Sequence, residues 1–111
     1  MWYLLLDLEK PAPEEIRAGV IVNHDSPWFD GHFPDTPILP GIAQLKMVAD
    51  VIAQARQTPL FIRRLNRVKF KRIIKPGEQL DIHAKGSGDL YSFRITHNKE
   101  DVCSGMMSLD V

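Results

Sequence analysis

The stretch GIAQLKMVADVIAQAR, Gly41 to Arg56, decides the fold. Ile42, Leu45, Ala49 and Ile52 recur at helical spacing, and Ala43, Met47, Val51 and Ala55 carry the apolar surface round the cylinder. Gln44, Lys46, Asp50 and Gln54 interrupt it. The pattern predicts one helix, buried over most of its surface. Pro40 sits at its start, where a missing N–H costs nothing. Thr58-Pro59 is the stop signal.

Working outward, everything else reads as strand or loop. Trp2 to Leu8 reads as a short strand, broken by Pro11 and Pro13, with Ile16 to Val22 as its hairpin partner. Asn23 to Pro40 is rich in Pro, Gly and Asp and reads as an irregular loop, long for a compact domain. Ordered loops of that length are commonly functional. Phe61 to Ile74 reads as a strand with Val68 and Phe70 on one side and Arg67, Lys69 and Lys71 on the other. Pro76-Gly77 turns the chain. Leu80, Ile82 and Ala84 then alternate with Asp81, His83 and Lys85, and Tyr91, Phe93 and Ile95 with Ser92, Arg94 and Thr96. Val102 to Val111 closes the chain. A helix apolar nearly all round needs a sheet curled about it, because a flat sheet covers only one side. The expectation is α+β: an antiparallel sheet of about six strands wrapped around one long central helix, forming a single domain over residues 1–111.

The bulk properties narrow the function. The 111 residues suit one domain with a modest core, so self-association would help it. Formal net charge is +0, so no global field draws the chain to nucleic acid or membrane. Cys103 is the only cysteine, which rules out an internal disulfide and fits a reducing, cytoplasmic setting. The apolar start, Met1 to Leu6, stops at Asp7 and has no basic flank, so neither a signal peptide nor a membrane span is expected there.

The rigid stretch DGHFPDTPILPG, from Asp30 to Gly41, carries the chemistry. Gly31-His32-Phe33-Pro34 followed by Pro37-Ile38-Leu39-Pro40-Gly41 resembles the signature of the β-hydroxyacyl-(acyl carrier protein) dehydratases of the FabA/FabZ type, which have the hot-dog fold. Leu4 to Asp7 is similar to that family's first strand. Val68 to Arg72 and Lys75 to Leu80 are similar to the strand and turn after its helix, so the resemblance spans nearly the whole chain. Gly41 to Leu45 also resembles dehydratases associated with aryl-polyene lipids.

Dehydrating a 3-hydroxyacyl thioester needs a base for the Cα proton, a polariser for the carbonyl and an acid for the departing hydroxyl. His32 suits the base, because imidazole titrates near neutrality, at about 6.5. Gly41 opens the helix, so its N–H lies at the positive end of the dipole and no side chain blocks an approaching oxygen. The resemblance implies these same roles. It also implies a Glu or Asp five residues after the glycine, and this sequence has Lys46 there. Asp50 follows one turn on, sharing a face with Lys46 at i,i+4 spacing. Three readings stay open: a desolvated ammonium serving as the acid, an anchor paired with Asp50 in a protein that has lost dehydration, or a pocket reused for another thioester reaction such as hydrolysis.

The resemblance implies a homodimer, or an oligomer of such dimers. His32 of one chain would face Lys46 of the other across an apolar tunnel. Phe33, Ile38, Leu39, Met47 and Phe70 are candidate walls, with plain core packing as the competing reading for each, and Gln44 is a candidate for holding the loop or meeting substrate. The thioester rides on an acyl carrier protein or on coenzyme A, and the reaction implies neither cofactor nor metal. The run Arg63, Arg64, Arg67, Lys69, Lys71, Arg72 and Lys75 holds seven of the fourteen cations. Its first six residues read either as a docking strip for an acidic carrier protein or as a solvated strand edge. His24, Asp25, Asp30, His32 and Asp35 match no metal-ligand spacing. His83 and His97 read as surface residues and Cys103 as packing. The competing class of function is a non-catalytic acyl-thioester or carrier-binding module.

Overall fold

The computed structural model describes residues 2–29 and 37–111. Strand β1 (Leu4–Ala12) and β2 (Glu15–Ile21) form a hairpin, and a short 3-10 turn covers Pro27–Phe29. Helix α1 (Gly41–Arg56) follows, then β3 (Phe61–Phe70), β4 (Gln79–Ser87), β5 (Leu90–His97) and β6 (Glu100–Asp110). All pairings are antiparallel and the sheet order is β1-β2-β4-β5-β6-β3. Both edge strands, β1 and β3, touch α1, so the sheet curls round the helix. This is the hot-dog fold implied by the resemblance.

Helix α1 buries Ala43, Leu45, Met47, Val48, Val51 and Ile52 against the inward residues of the sheet. Ile16, Leu80, Ile82 and Ile95 meet them at 1% exposure or less, each burial worth about 1.5–3 kcal/mol. The helix is not covered all round. Ile42, placed on the apolar face by its spacing, is 54% exposed, and Lys46 beside it is exposed too. Gln57 ends the helix in the left-handed conformation (φ 55°), letting the Thr58 N–H reach Ala53 O at 3.1 Å. That cap satisfies carbonyls left over by the last turn.

Two boundaries differ from the sequence reading. Strand β1 does not break at Pro11 but runs through it to Ala12, with a register shift between Glu9 and Ala12. An edge strand tolerates proline because one row of its N–H groups has no partner to lose. Strand β3 stops at Phe70, well before Ile74, which is fully buried and whose carbonyl accepts the Leu39 N–H at 2.9 Å.

Candidate active site

The segment entering α1 is pinned from two sides. Leu39 donates its N–H to Ile74, and the buried Gln44 donates Nε2–H to Leu39 O at 3.2 Å. Gln44 therefore holds the end of the long loop, one of its two expected roles. Its Oε1 is buried without a hydrogen-bond partner. Pro40 caps the helix with extended backbone and no side-chain bond. Pro40 O takes the N–H groups of Ala43 and Gln44. Among the described residues, nothing accepts the N–H of Gly41. No acidic residue lies in the first turn of the helix, so within α1 itself nothing offsets the positive end of the dipole.

Gly41 also lies under a side chain. A β-carbon there would lie 2.7 Å from Cζ of Phe70. The ring of Phe70, a candidate tunnel wall that is 51% exposed, thus lies against the helix start. Leu39 and Met47 are buried in the core at 2% and 0% exposure, and Ile38 is half-buried. His32 and Phe33 lie outside the described residues, as do Asp30 and Asp35.

An open groove of about 860 Å³ runs between the uncovered flank of α1 and the β3 edge. Ile42, Lys46, Ala49 and Asp50 line one side, and Phe61, Ile62 and Leu65 the other. Among the described residues, no ion pair joins Lys46 to Asp50, contrary to the pairing their spacing suggested. Lys46 Nζ instead lies 5.7 Å from the centre of the Trp28 ring, a cation–π contact. Asp50 is held by the Tyr3 hydroxyl and by Gln54 Nε2, which also donates to Tyr3 at 2.9 Å. Burial and the adjacent carboxylate push the Tyr3 phenol well above its ordinary range, so it stays a donor.

The cationic run does not form a uniform strip. Acids from β6 and from two turns neutralise its ends: Arg63 meets Asp89 at 3.3 Å and Asp110 at 3.8 Å, and Arg72 meets Glu78 at 2.8 Å and Glu100 at 3.2 Å. Asp89, Asp110 and Glu100 are distant along the chain, whereas Glu78 lies six residues from Arg72, just past the Pro76-Gly77 turn. His83 is an outward residue paired with Glu15 at 2.8 Å. His97 meets Gln79 O and Glu78. Cys103 is buried, which pushes its thiol up to about 11, as befits packing. No described helix is long and apolar enough to cross a membrane.

A curled antiparallel sheet round one helix defines a protein of the hot-dog class. Residues 9–106 match the ApeI-like family, described as ApeI dehydratase, and the chain belongs to that family. It is 30% identical to the 3-hydroxyacyl-[acyl-carrier-protein] dehydratase FabZ of Ralstonia nicotianae, over 88% of this chain and 69% of that protein. It is 32% identical to FabZ of Sorangium cellulosum, over 69% of this chain and 56% of that protein. The chain thus spans little more than half of the Sorangium relative. Among solved structures, a chain of the dehydratase heterocomplex ApeI:P from Xenorhabdus doucetiae superposes with a TM-score of 0.89 at 26% identity, over 100% of both chains.

Proposed function

We propose that the chain dehydrates a 3-hydroxyacyl thioester carried by an acyl carrier protein or coenzyme A. His32 takes the Cα proton. The electron pair moves onto the thioester oxygen, where the Gly41 N–H stabilises the enolate. Its return forms the α,β double bond and expels the β-hydroxyl, which leaves as water on gaining a proton. Lys46 stands where that proton is supplied, reaching a neighbouring chain's His32 across a dimer seam. The family match over residues 9–106 carries this reading, because it spans the His32 loop and all of α1. The uncovered groove beside Lys46 and the free edge of β3 supply a surface for a second copy.

A second reading is favoured by Lys46 itself. An ammonium replaces the carboxylate that the resemblance implies, and the ApeI:P structure that superposes over full length is a heterocomplex. In this version the chain lends His32 and Gly41 to a site completed by the carboxylate of a different hot-dog chain.

The test is turnover of a short 3-hydroxyacyl-pantetheine by the purified chain, with His32→Ala as control. Dehydration lost in His32→Ala and in Lys46→Ala supports the first reading. A chain inert alone that becomes active on Lys46→Glu, or on mixing with a carboxylate-bearing partner, selects the second. Release of free thiol identifies a thioesterase. Binding without turnover in every arm identifies an acyl-binding module. Either of the last two results overturns the dehydratase reading.

A further inference from the structure

The face of the sheet turned away from α1 carries a cleft of about 910 Å³ that the thioester chemistry does not use. Strand register explains its charge. Arg17 lies opposite His83, His83 opposite Arg94, Arg94 opposite Ser104, and Ser104 opposite Lys69. One row across five strands thus holds Arg, His, Arg, Ser and Lys. The row ends in an acid, Glu9 opposite Arg17 on β1, and Glu15 lies beside His83, so the cations left unanswered are those toward β3.

The backbone of β3 gathers more charge at the same place. Its register passes from Asn66 opposite Met106 to Lys69 opposite Ser104, which inserts one extra residue. At that bulge Arg67 takes a left-handed conformation, φ 54°, unusual for a side chain of its size. The bulge rests on Gly105, where a β-carbon would lie 3.0 Å from Val68 Cα. Arg67, Lys69, Lys71 and Arg94 line the cleft together with Ser92, Ser104 and Gly105. Compensation is sparse. Lys71 and Arg94 share one carboxylate, Asp101, at 3.4 and 3.5 Å, and His83 has Glu15. Among the described residues, Arg67 and Lys69 have no ion-pair partner, whereas the ends of the same run are neutralised.

We propose that this cleft binds a phosphoryl group. Two guanidinium and two ammonium side chains line one concave surface with the hydroxyls of Ser104 and Ser92, the latter donating to Lys85 O at 3.4 Å. That arrangement suits the clustered oxygens of a phosphate ester. An acidic protein surface, the occupant suggested by the basic run alone, spreads its carboxylates and gains nothing from the concavity. The phosphate belongs either to a nucleotide-bearing molecule or to a bare phosphoryl anion. The inference does not depend on the dehydratase reading, because the sheet separates this cleft from the groove beside α1.

Calorimetric titration of the full chain with inorganic pyrophosphate, adenosine diphosphate and polyglutamate tests it. Saturable binding of pyrophosphate or adenosine diphosphate is expected, weakened by about tenfold or more in Arg94→Gln and in Arg67→Gly. Arg67→Gly relieves the left-handed backbone, so its fold is secure, and Arg63→Gln serves as the unaffected control. Tighter binding of adenosine diphosphate assigns a nucleotide-bearing ligand, and equal binding assigns a bare phosphoryl anion. Polyglutamate binding as tightly as either phosphate, or both cleft variants binding like the unmodified chain, overturns the proposal.

Discussion

The ring of Phe70 covers the first residue of the central helix: a β-carbon on Gly41 would come within 2.7 Å of its Cζ and 3.0 Å of its Cε1. Phe70 is half-exposed and its ring has room to swing aside, so Gly41→Ala is expected to cost only about 1 kcal/mol of stability, as well as lowering turnover. Phe70→Leu in the same chain should recover most of the stability. A double-mutant cycle in urea reads the coupling. Additive losses would show that the ring does not constrain position 41.

Tyr3 and Gln54 both donate to Asp50 at one border of the groove. Removing the hydroxyl in Tyr3→Phe leaves a partly buried carboxylate short of a donor, at an expected cost of about 1–3 kcal/mol. Asp50→Asn in the Tyr3→Phe background should then add less than it does alone. Equilibrium unfolding of the four variants provides the numbers.

Glu78 sets an acid limit. Partial burial pushes its carboxyl up, but the Arg72 guanidinium and the Lys75 N–H outweigh that and hold it below the ordinary range. A depressed folded value contributes stability above the unfolded value, about 4.3, and loses it as pH falls through the folded one. Glu78→Gln should therefore be less stable at neutral pH, with a shallower decline in acid. Urea midpoints between neutrality and strong acid show whether the two curves converge.

Cys103 sets a complementary alkaline limit. Burial raises its thiol to about 11, so the neutral form is favoured on folding. Its contribution is complete below the unfolded value, about 8.5, and disappears as pH climbs through about 11. The native thiol should resist iodoacetamide at mildly alkaline pH and react at once in urea. Rapid alkylation of the folded chain would place this strand end nearer solvent than its burial indicates.

Much of this was legible before any coordinates. The spacing of Ile42, Leu45, Ala49 and Ile52 gives α1 with both its ends, and alternation in β4 and β5 gives the outward faces of His83 and Arg94. Local pattern does not reveal which strands are neighbours. For that reason Arg63 and Arg72 looked free until Asp89, Asp110 and Glu100 arrived beside them. Helical spacing brought Lys46 and Asp50 to one side of α1, but aromatic rings from the N-terminal third, Trp28 and Tyr3, took each of them separately. Ile42 kept its helical phase and lost its burial, because the sheet leaves that flank of α1 open.

The strand order has a consequence for how the chain assembles. β4, β5 and β6 follow one another both along the chain and across the sheet, so that meander closes through short turns. β2 must instead find β4 across the whole of α1 and β3, and β3 must swing to the far side of β6. Loop-closure entropy makes such distant pairings slow. The C-terminal meander is thus the expected nucleus. Substitutions at Ile82 or Ile95 should slow refolding, whereas changes at the β1 edge should chiefly hasten unfolding.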